Sequence, residues 1–167
     1  MRKLIIVLCV MALALPVFAQ VTMRVANGAE IESIDPSQIS GVQSARVYQA
    51  LFEGLVIYDP KDASPIPAVA ESWTASPDQT VFTFKIRKGI TWSDGTPITA
   101  QTVVDSWLRT LNPATGSEYA SSLTDVIKGA ADYNAGKSAA STVAVKALDA
   151  STFQFTATSA KCQPSPA

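Results

Sequence analysis

Apolar and polar side chains alternate along residues 81–87 of this 167-residue chain. The apolar positions are Phe82, Phe84 and Ile86, and the polar positions between and after them are Thr83, Lys85 and Arg87. A period of two places all the apolar side chains on one face, so the segment is predicted to form a half-buried β-strand. Residues 93–97 follow as a predicted reverse turn, in which Gly95 is free to take a positive φ and Pro97 closes the strand.

Two segments have the spacing of amphipathic helices. The first begins near Ser44 and is predicted to end with Gly54 at the position after its C-cap. Its apolar side is formed by Val47, Tyr48, Leu51 and Phe52. The second begins at Thr99, which should cap it together with Thr102, and stops before Pro113. Weaker helical patterns cover residues 118–123 and 123–135.

Shorter apolar runs predict the remaining strands. Residues 22–27 and 55–58 are expected to be single short strands, and residues 37–42 to be extended or irregular. The runs at 143–148 and 152–157 flank a turn and predict a β-hairpin, with Phe153 and Phe155 on one face. Helices and strands therefore mix along the chain, which indicates an α/β fold.

The block at residues 67–100 contains four features at fixed offsets. They are an apolar segment that ends at Trp73, the alternating strand, the turn and the Thr99 cap. It resembles the signature region of the extracellular solute-binding proteins, family 5, which carry oligopeptides, dipeptides and related cargo to ABC importers. Phe-Glu-Gly-Leu at 52–55 and Tyr-Ala-Ser at 119–121 add to the resemblance. Within the family the chain looks most like the periplasmic oligopeptide-binding proteins, from about residue 25 to about residue 156.

The resemblance implies a mixed α/β fold of the periplasmic-binding-protein type II kind, present here in part. Residues 20–54 would begin the first lobe and include a cleft-edge segment, and residues 55–157 would form a small α/β domain. Intact members are several-fold longer. Residues 158–167 depart from the family pattern, and we expect them to be a truncated or frame-shifted tail.

The first 19 residues have the pattern of a cleavable signal peptide, with basic Arg2 and Lys3, an apolar run and small residues before Gln20. Together with the resemblance, this leader predicts a periplasmic location. The formal net charge of −1 for the whole chain becomes −3 without it, which argues against nucleic-acid binding. Cys162 would then be the sole cysteine, so no intrachain disulfide is expected.

Catalysis is not expected from this composition. The chain has no histidine, which excludes Ser-His-Asp and Cys-His arrangements and removes the commonest metal ligand. Glu30, Glu32 and Asp35 crowd one loop without a visible partner. We therefore expect no enzyme activity, no cofactor and no metal site. Trp92 and Trp107 are predicted to lie in the core rather than to stack on a ligand.

The candidate ligand-binding residues are Ser40, Gly41, Val42 and Tyr119. The resemblance implies that the first three lie at the cleft edge, where their backbone pairs with a bound peptide like an added strand. Judged from the residues alone, Ser40 to Val42 would more simply be a connecting loop, and Tyr119 a half-buried packing residue. Family members often carry an acidic residue at the position of Ser40, which could help hold cationic groups of a peptide.

The function implied is oligopeptide binding for an ABC permease in the inner membrane, by a monomer. Other cargo remains open, namely a dipeptide, a murein peptide, nickel or heme. A stand-alone domain that has lost cargo binding is a second class, and a secreted hydrolase is a third.

Overall fold

The computed structural model describes residues 22–160. The predicted signal peptide and Cys162 lie outside this range. The helices are α1 (Gly41–Leu51), α2 (Ala100–Leu111), α3 (Ser121–Thr124) and α4 (Ala130–Asn134), with 3-10 turns at Pro113–Thr115 and Ala140–Thr142. The strands are β1 (Val56–Tyr58), β2 (Pro65–Pro67), β3 (Ala70–Ala75), β4 (Val81–Ile86), β5 (Val145–Asp149) and β6 (Thr152–Thr156).

A four-stranded antiparallel sheet in the order β3-β4-β6-β5 is the centre of the structure. Phe82 lies opposite Phe155 and Phe84 lies opposite Phe153, so the central pair of strands presents four aromatic rings on one face. These four side chains and Ile86 are all buried. The predicted alternation in β4 and the predicted β5–β6 hairpin are both confirmed.

Helix α2 covers this aromatic face. The Trp107 ring meets Phe153 edge-on, with ring centroids 4.9 Å apart, and lies 5.5 Å from the ring of Phe155. Thr99 and Thr102 form the predicted reciprocal cap, in which each backbone N–H donates to the other hydroxyl oxygen. The cap satisfies two backbone donors that the first turn leaves free, and so fixes where the helix begins.

Strands β1 and β2 pair as a separate two-stranded antiparallel ribbon. The apolar run at residues 55–58 predicted β1, whereas β2 was not predicted. Proline lacks a backbone donor, which confines it to strand edges, and a three-residue strand with one neighbour meets this condition. Val69 and Ala70 donate to the carbonyl oxygens of Gly54 and Leu55, which holds the ribbon against the start of β3.

Two predictions near the N-terminus of the described range were wrong. Residues 22–27 are not a strand, because no strand among residues 22–160 lies beside them to complete a ladder. Helix α1 ends at Leu51 with Phe52 already extended, so Gly54 is not its terminating residue. The chain leaves the helical conformation at Phe52, before it reaches Gly54.

Two further predictions were wrong in the second half of the chain. The helix expected over residues 123–135 is broken, because Gly129 takes a φ of +82° and Ile127 bridges to Ala157 at the end of β6. Trp92 is 42 % exposed, since it lies in the turn after β4 rather than on the strand. Gly95 in that turn has the predicted positive φ. Each helix in the described part of the chain is too short or too polar to cross a membrane.

Candidate ligand-binding edge

A line of polar contacts joins the loop before α1 to the C-terminal half of α2 and the loop after it. Arg109 donates to both carboxylate oxygens of Asp35, at 2.7 and 2.5 Å. Asp35 therefore has a partner, contrary to the sequence interpretation. This hydrogen bonding by Arg109 is the largest reason why the pKa of Asp35 falls to about 2, and the Ser37 backbone N–H also contributes.

The other contacts in this line follow in the same order along both segments. The hydroxyls of Ser37 and Thr110 share a hydrogen bond at 2.9 Å, and Ser37 is buried. The Ser40 hydroxyl donates to Oε2 of Glu118 at 2.6 Å. Together with the Asp35 ion pair, these bonds fix Ser40 beside Glu118, which directly precedes Tyr119. The structure therefore brings the two separate candidate sites into one place.

The backbone changes conformation between Ser40 and Gly41. Ser40 is extended, with φ −140° and ψ 149°, whereas Gly41 has a φ of +74° and begins α1. The prediction that Gly41 and Val42 are extended or irregular was wrong. A residue with a β-carbon would be strained at this φ, so glycine is what allows the chain to pass from the extended loop into the helix.

The first turn of α1 has free backbone donors. Helix geometry gives the first N–H groups no partner inside the helix, and the usual remedy is a capping side chain. Ser40 occupies the N-cap position but makes no such bond, because its hydroxyl is turned to Glu118. Within residues 22–160, no acceptor contacts the N–H of Gly41 or Val42. Val42 is 65 % exposed, and Gly41 is half-buried.

Tyr119 also lies at the surface, with 55 % of its area exposed. Its carbonyl oxygen accepts from the Ser122 hydroxyl at 2.7 Å, and the next residue, Ala120, is buried. The backbone is therefore anchored while the ring extends outward. Sequence reasoning missed Glu118, because a single acidic residue in a loop gives no periodic or motif signal.

Asp94 and Asp62 have ordinary turn roles. Asp94 accepts from the Thr96 backbone N–H at 2.8 Å, and Asp62 accepts from that of Ser64 at 2.9 Å. These bonds lower the pKa of both carboxyls. No group of three or more His, Cys, Asp or Glu residues in the described range is arranged to hold a metal ion.

Comparison with known proteins agrees with this architecture. Residues 64–166 match the family described as bacterial extracellular solute-binding proteins, family 5 Middle. The periplasmic oligopeptide-binding protein OppA of Escherichia coli K12 is 45 % identical over 131 residues, which are 78 % of this chain and 24 % of that protein.

Solved structures superpose on the same region. The oligopeptide-binding protein OppAIV of Borrelia burgdorferi matches with a TM-score of 0.76 and 36 % identity, over 81 % of this chain and 27 % of that one. Haemophilus influenzae OppA, solved with the peptide RPPGFSPFR, matches with a TM-score of 0.73 and 40 % identity, over 79 % and 26 %. The structure is thus part of a mixed α/β type II periplasmic-binding-protein fold, as predicted. This chain, which spans about a quarter of the length of these relatives, belongs to family 5 of the bacterial extracellular solute-binding proteins.

Proposed function

We propose that this chain supplies one edge of an oligopeptide-binding cleft. The observation that carries the proposal is the pair of free backbone donors at Gly41 and Val42, which follow Ser40, whose hydrogen bond to Glu118 ties this segment to the residue before the exposed Tyr119. Relatives named for oligopeptide binding support this choice of ligand. The chain would act in the periplasm after removal of its leader, and would deliver peptide to an ABC permease in the inner membrane.

The chemistry of such an edge does not depend on peptide sequence. The extended Ser40 backbone and the free N–H groups of Gly41 and Val42 can bond to the peptide main chain, which every peptide offers. The Tyr119 ring supplies an apolar surface and a hydroxyl for side chains of varied character. Val42 is helical rather than extended. A peptide would therefore pair with the edge as a neighbouring strand at Ser40 only, and would accept hydrogen bonds from the backbone N–H groups of Gly41 and Val42 beyond it.

A single edge contacts the ligand from one side. Closure of two lobes around a peptide requires a ligand that binds better to the closed form, and that preference needs contacts from both lobes. We therefore expect this chain alone to bind peptides with a Kd in the millimolar range. A dissociation constant near 1 μM, or about −8 kcal/mol, would require contacts that one edge does not offer.

Other cargo remains an alternative, because relatives of this chain include proteins named for murein peptides and for dipeptides. Trialanine, dialanine and a murein tripeptide can therefore be compared in the same titration. The proposal predicts that trialanine binds more tightly than dialanine, since a longer main chain meets more of the free donors.

The test is an NMR titration of the isotopically labelled chain with trialanine. We expect chemical-shift changes at residues 40–43 and 119, and a several-fold higher Kd for Tyr119→Ala. Tyr58→Ala is the matched control, because Tyr58 is 74 % exposed and lies on β1, outside the proposed edge. Shift changes confined to other residues, or equal effects of the two tyrosine variants, would contradict the proposal. Calorimetry that gave micromolar binding would instead contradict the need for a second lobe.

A further inference from the structure

We propose that Asn27 is a site of spontaneous deamidation, in which the backbone nitrogen of Gly28 displaces the side-chain amide. The reaction uses water and hydroxide ion and requires no other reactant. Its product carries one more negative charge and cannot make the hydrogen bond that ties residues 22–32 to α1. The inference is independent of the proposed peptide-binding function.

The backbone nitrogen of Gly28 is free to react. It donates to no acceptor within residues 22–160. Gly28 is exposed, and a β-carbon built on it would meet no atom within 4 Å apart from its chain neighbours. Glycine also has no side chain of its own to crowd the nitrogen. Hydroxide can therefore remove the amide proton, and the nitrogen can then attack the preceding side chain.

The side-chain amide of Asn27 is weakly held. Its Nδ2 donates to the carbonyl oxygen of Gln43 at 3.3 Å and to that of Ala29 at 3.5 Å. Both distances are longer than the ~2.7–3.2 Å of a typical N–H···O bond. The side chain therefore loses little interaction energy when it turns towards the nitrogen of Gly28.

The other two asparagines of the chain lack this combination of features. Asn112 precedes a proline, which has no backbone N–H to ionise. Asn134 lies at the end of α4, and its side chain donates to the Leu111 carbonyl oxygen at 2.9 Å. The backbone N–H of Ala135, which would have to attack it, donates to a carbonyl oxygen of α4 at 3.0 Å. The fold therefore leaves Asn27 as the reactive asparagine.

The reaction balances as an exchange of ammonia for water. The Gly28 nitrogen, after losing its proton to hydroxide, attacks Cγ of Asn27 and forms a new N–Cγ bond. The Cγ–Nδ2 bond breaks, and ammonia leaves with a proton taken from water. Water then opens the resulting five-membered succinimide. Opening at Cγ gives aspartate, and opening at the backbone carbonyl gives isoaspartate, in which the main chain runs through the former side chain.

Either product changes a tertiary contact. The Asn27 amide makes the one hydrogen bond found in the described chain that joins residues 22–32 to the residues after them, and its acceptor is Gln43 in α1. An ionised carboxylate has no proton to donate and would face that carbonyl oxygen with a negative charge. We therefore expect residues 22–32 to separate from α1. The backbone N–H of Ser44 shares a peptide group with the Gln43 oxygen, so its NMR resonance reports the loss.

The experiment incubates the full chain at 37 °C and pH 8.5 and follows each asparagine by peptide mass mapping, in which deamidation adds about 1 Da. Asn27 should react about tenfold or more faster than Asn134, because asparagine is thermolabile only where the next nitrogen can attack. Asn112 should stay intact. A lower pH should slow the reaction at Asn27 in step with the fall in hydroxide concentration. Labelling by an isoaspartyl methyltransferase identifies the isoaspartate product.

The same incubation in guanidinium chloride separates the effect of the fold from that of the local sequence. Unfolding should accelerate deamidation at Asn134, because it frees the N–H of Ala135, and should change the rate at Asn27 by less than about threefold. An Asn27 that stays intact in the folded chain but reacts in guanidinium chloride would overturn the inference.

Variants then assign the reaction and its consequence. Gly28→Ala should react about tenfold more slowly, because a methyl group crowds the attacking nitrogen, and Asn27→Gln should not react, because its longer side chain would have to close a six-membered ring. Asn27→Asp should reproduce the Ser44 resonance of the deamidated chain. Asn112→Asp, which adds the same charge elsewhere and keeps its acceptor oxygen, is the matched control and should not. A Gly28→Ala variant as reactive as the parent, or an unchanged Ser44 resonance after deamidation, would contradict the proposal.

Discussion

Arg109 binds Asp35 through both terminal nitrogens of its guanidinium, although the two residues are 74 positions apart in the sequence. The bond joins the loop that precedes α1 to the helix that covers the sheet. It therefore sets where the candidate ligand-binding edge lies relative to the core.

The first prediction concerns the pH dependence of this ion pair. The pKa of Asp35 in the folded chain is about 2, below its ordinary value of 3.8, because Arg109 donates to its charged form. The pair therefore stabilises the fold fully above pH 4, and this contribution is lost as pH falls through 2. A double-mutant cycle with Asp35→Asn and Arg109→Gln should give a coupling of about 0.5–1 kcal/mol at pH 6, since both side chains are partly exposed.

The same cycle at pH 2 is the internal control, and its coupling should be about half or less of the value at pH 6. The free energy of unfolding of the parent chain also falls in acid, because hydrogen bonds lower the pKa of Asp149 to about 2. The cycle cancels that shared effect. A coupling that does not change between pH 6 and pH 2 would show that the pair does not act through ionised Asp35.

The second prediction uses two buried serines in opposite situations. Ser37 is 3 % exposed and shares a hydrogen bond with Thr110, whereas Ser44 is 1 % exposed and its hydroxyl has no partner in the described range. Ser37→Ala should lower the free energy of unfolding by about 1 kcal/mol, because it removes the hydrogen bond to Thr110, whose hydroxyl then keeps its bond to the Ser106 carbonyl oxygen alone. Ser44→Ala should be neutral or stabilising. Urea unfolding of both variants tests the contrast, and a larger loss in Ser44→Ala would contradict it.

The third prediction concerns the glycine that breaks the helical pattern after α3. A β-carbon at Gly129 would lie 2.3 Å from the Thr142 carbonyl oxygen, at a φ of +82°. Gly136 has a similar φ of +70° but open space around it. Gly136→Ala should cost about 1 kcal/mol from backbone strain alone, and Gly129→Ala should cost clearly more, because the backbone must also move. Equal losses of stability in the two variants would show that the close approach is unimportant.

The fourth prediction separates two tryptophans. Trp107→Ala should destabilise the chain by about 3 kcal/mol, since it removes a ring that packs on Phe153 and Phe155. Trp92→Ala should cost less than about 1 kcal/mol, because Trp92 lies exposed in a turn. Chemical unfolding followed by circular dichroism gives both values. The opposite ranking would mean that the aromatic face does not depend on α2.

Local patterns were sufficient to predict β4, β5, β6 and the covering helix, whereas β3 was not predicted as a strand. Alternation in β4 and β6 reports burial on one face directly, and the Thr99 cap is a signal contained within four residues. Only β1 of the β1–β2 ribbon was predicted. Pro65 and Pro67 lower the intrinsic strand preference of β2, and pairing with β1 compensates for this loss. The exposure of Trp92 depends on where a turn directs the chain, which periodicity does not encode.

The candidate edge was predicted only in part, because its arrangement also depends on tertiary contacts that local patterns do not encode. Ser40 and Tyr119 were identified through family resemblance, but nothing local indicates that they meet. Their proximity depends on contacts between residues more than 70 positions apart, among them Ser37–Thr110 and Ser40–Glu118. The start of α1 at Gly41 was missed. It requires a positive φ, and the presence of a glycine in the sequence permits this conformation without showing that it is adopted.

The position of β4 between β3 and β6 has a consequence for the newly made polypeptide. Thr83 and Gln154, which hydrogen bond across the two strands, are 71 positions apart. At ~5–20 residues per second, translation needs roughly 4–14 s to travel from one to the other. Throughout that interval the phenylalanines of the middle strand have no final neighbour on one side, so their burial cannot be completed before the last strand has been made.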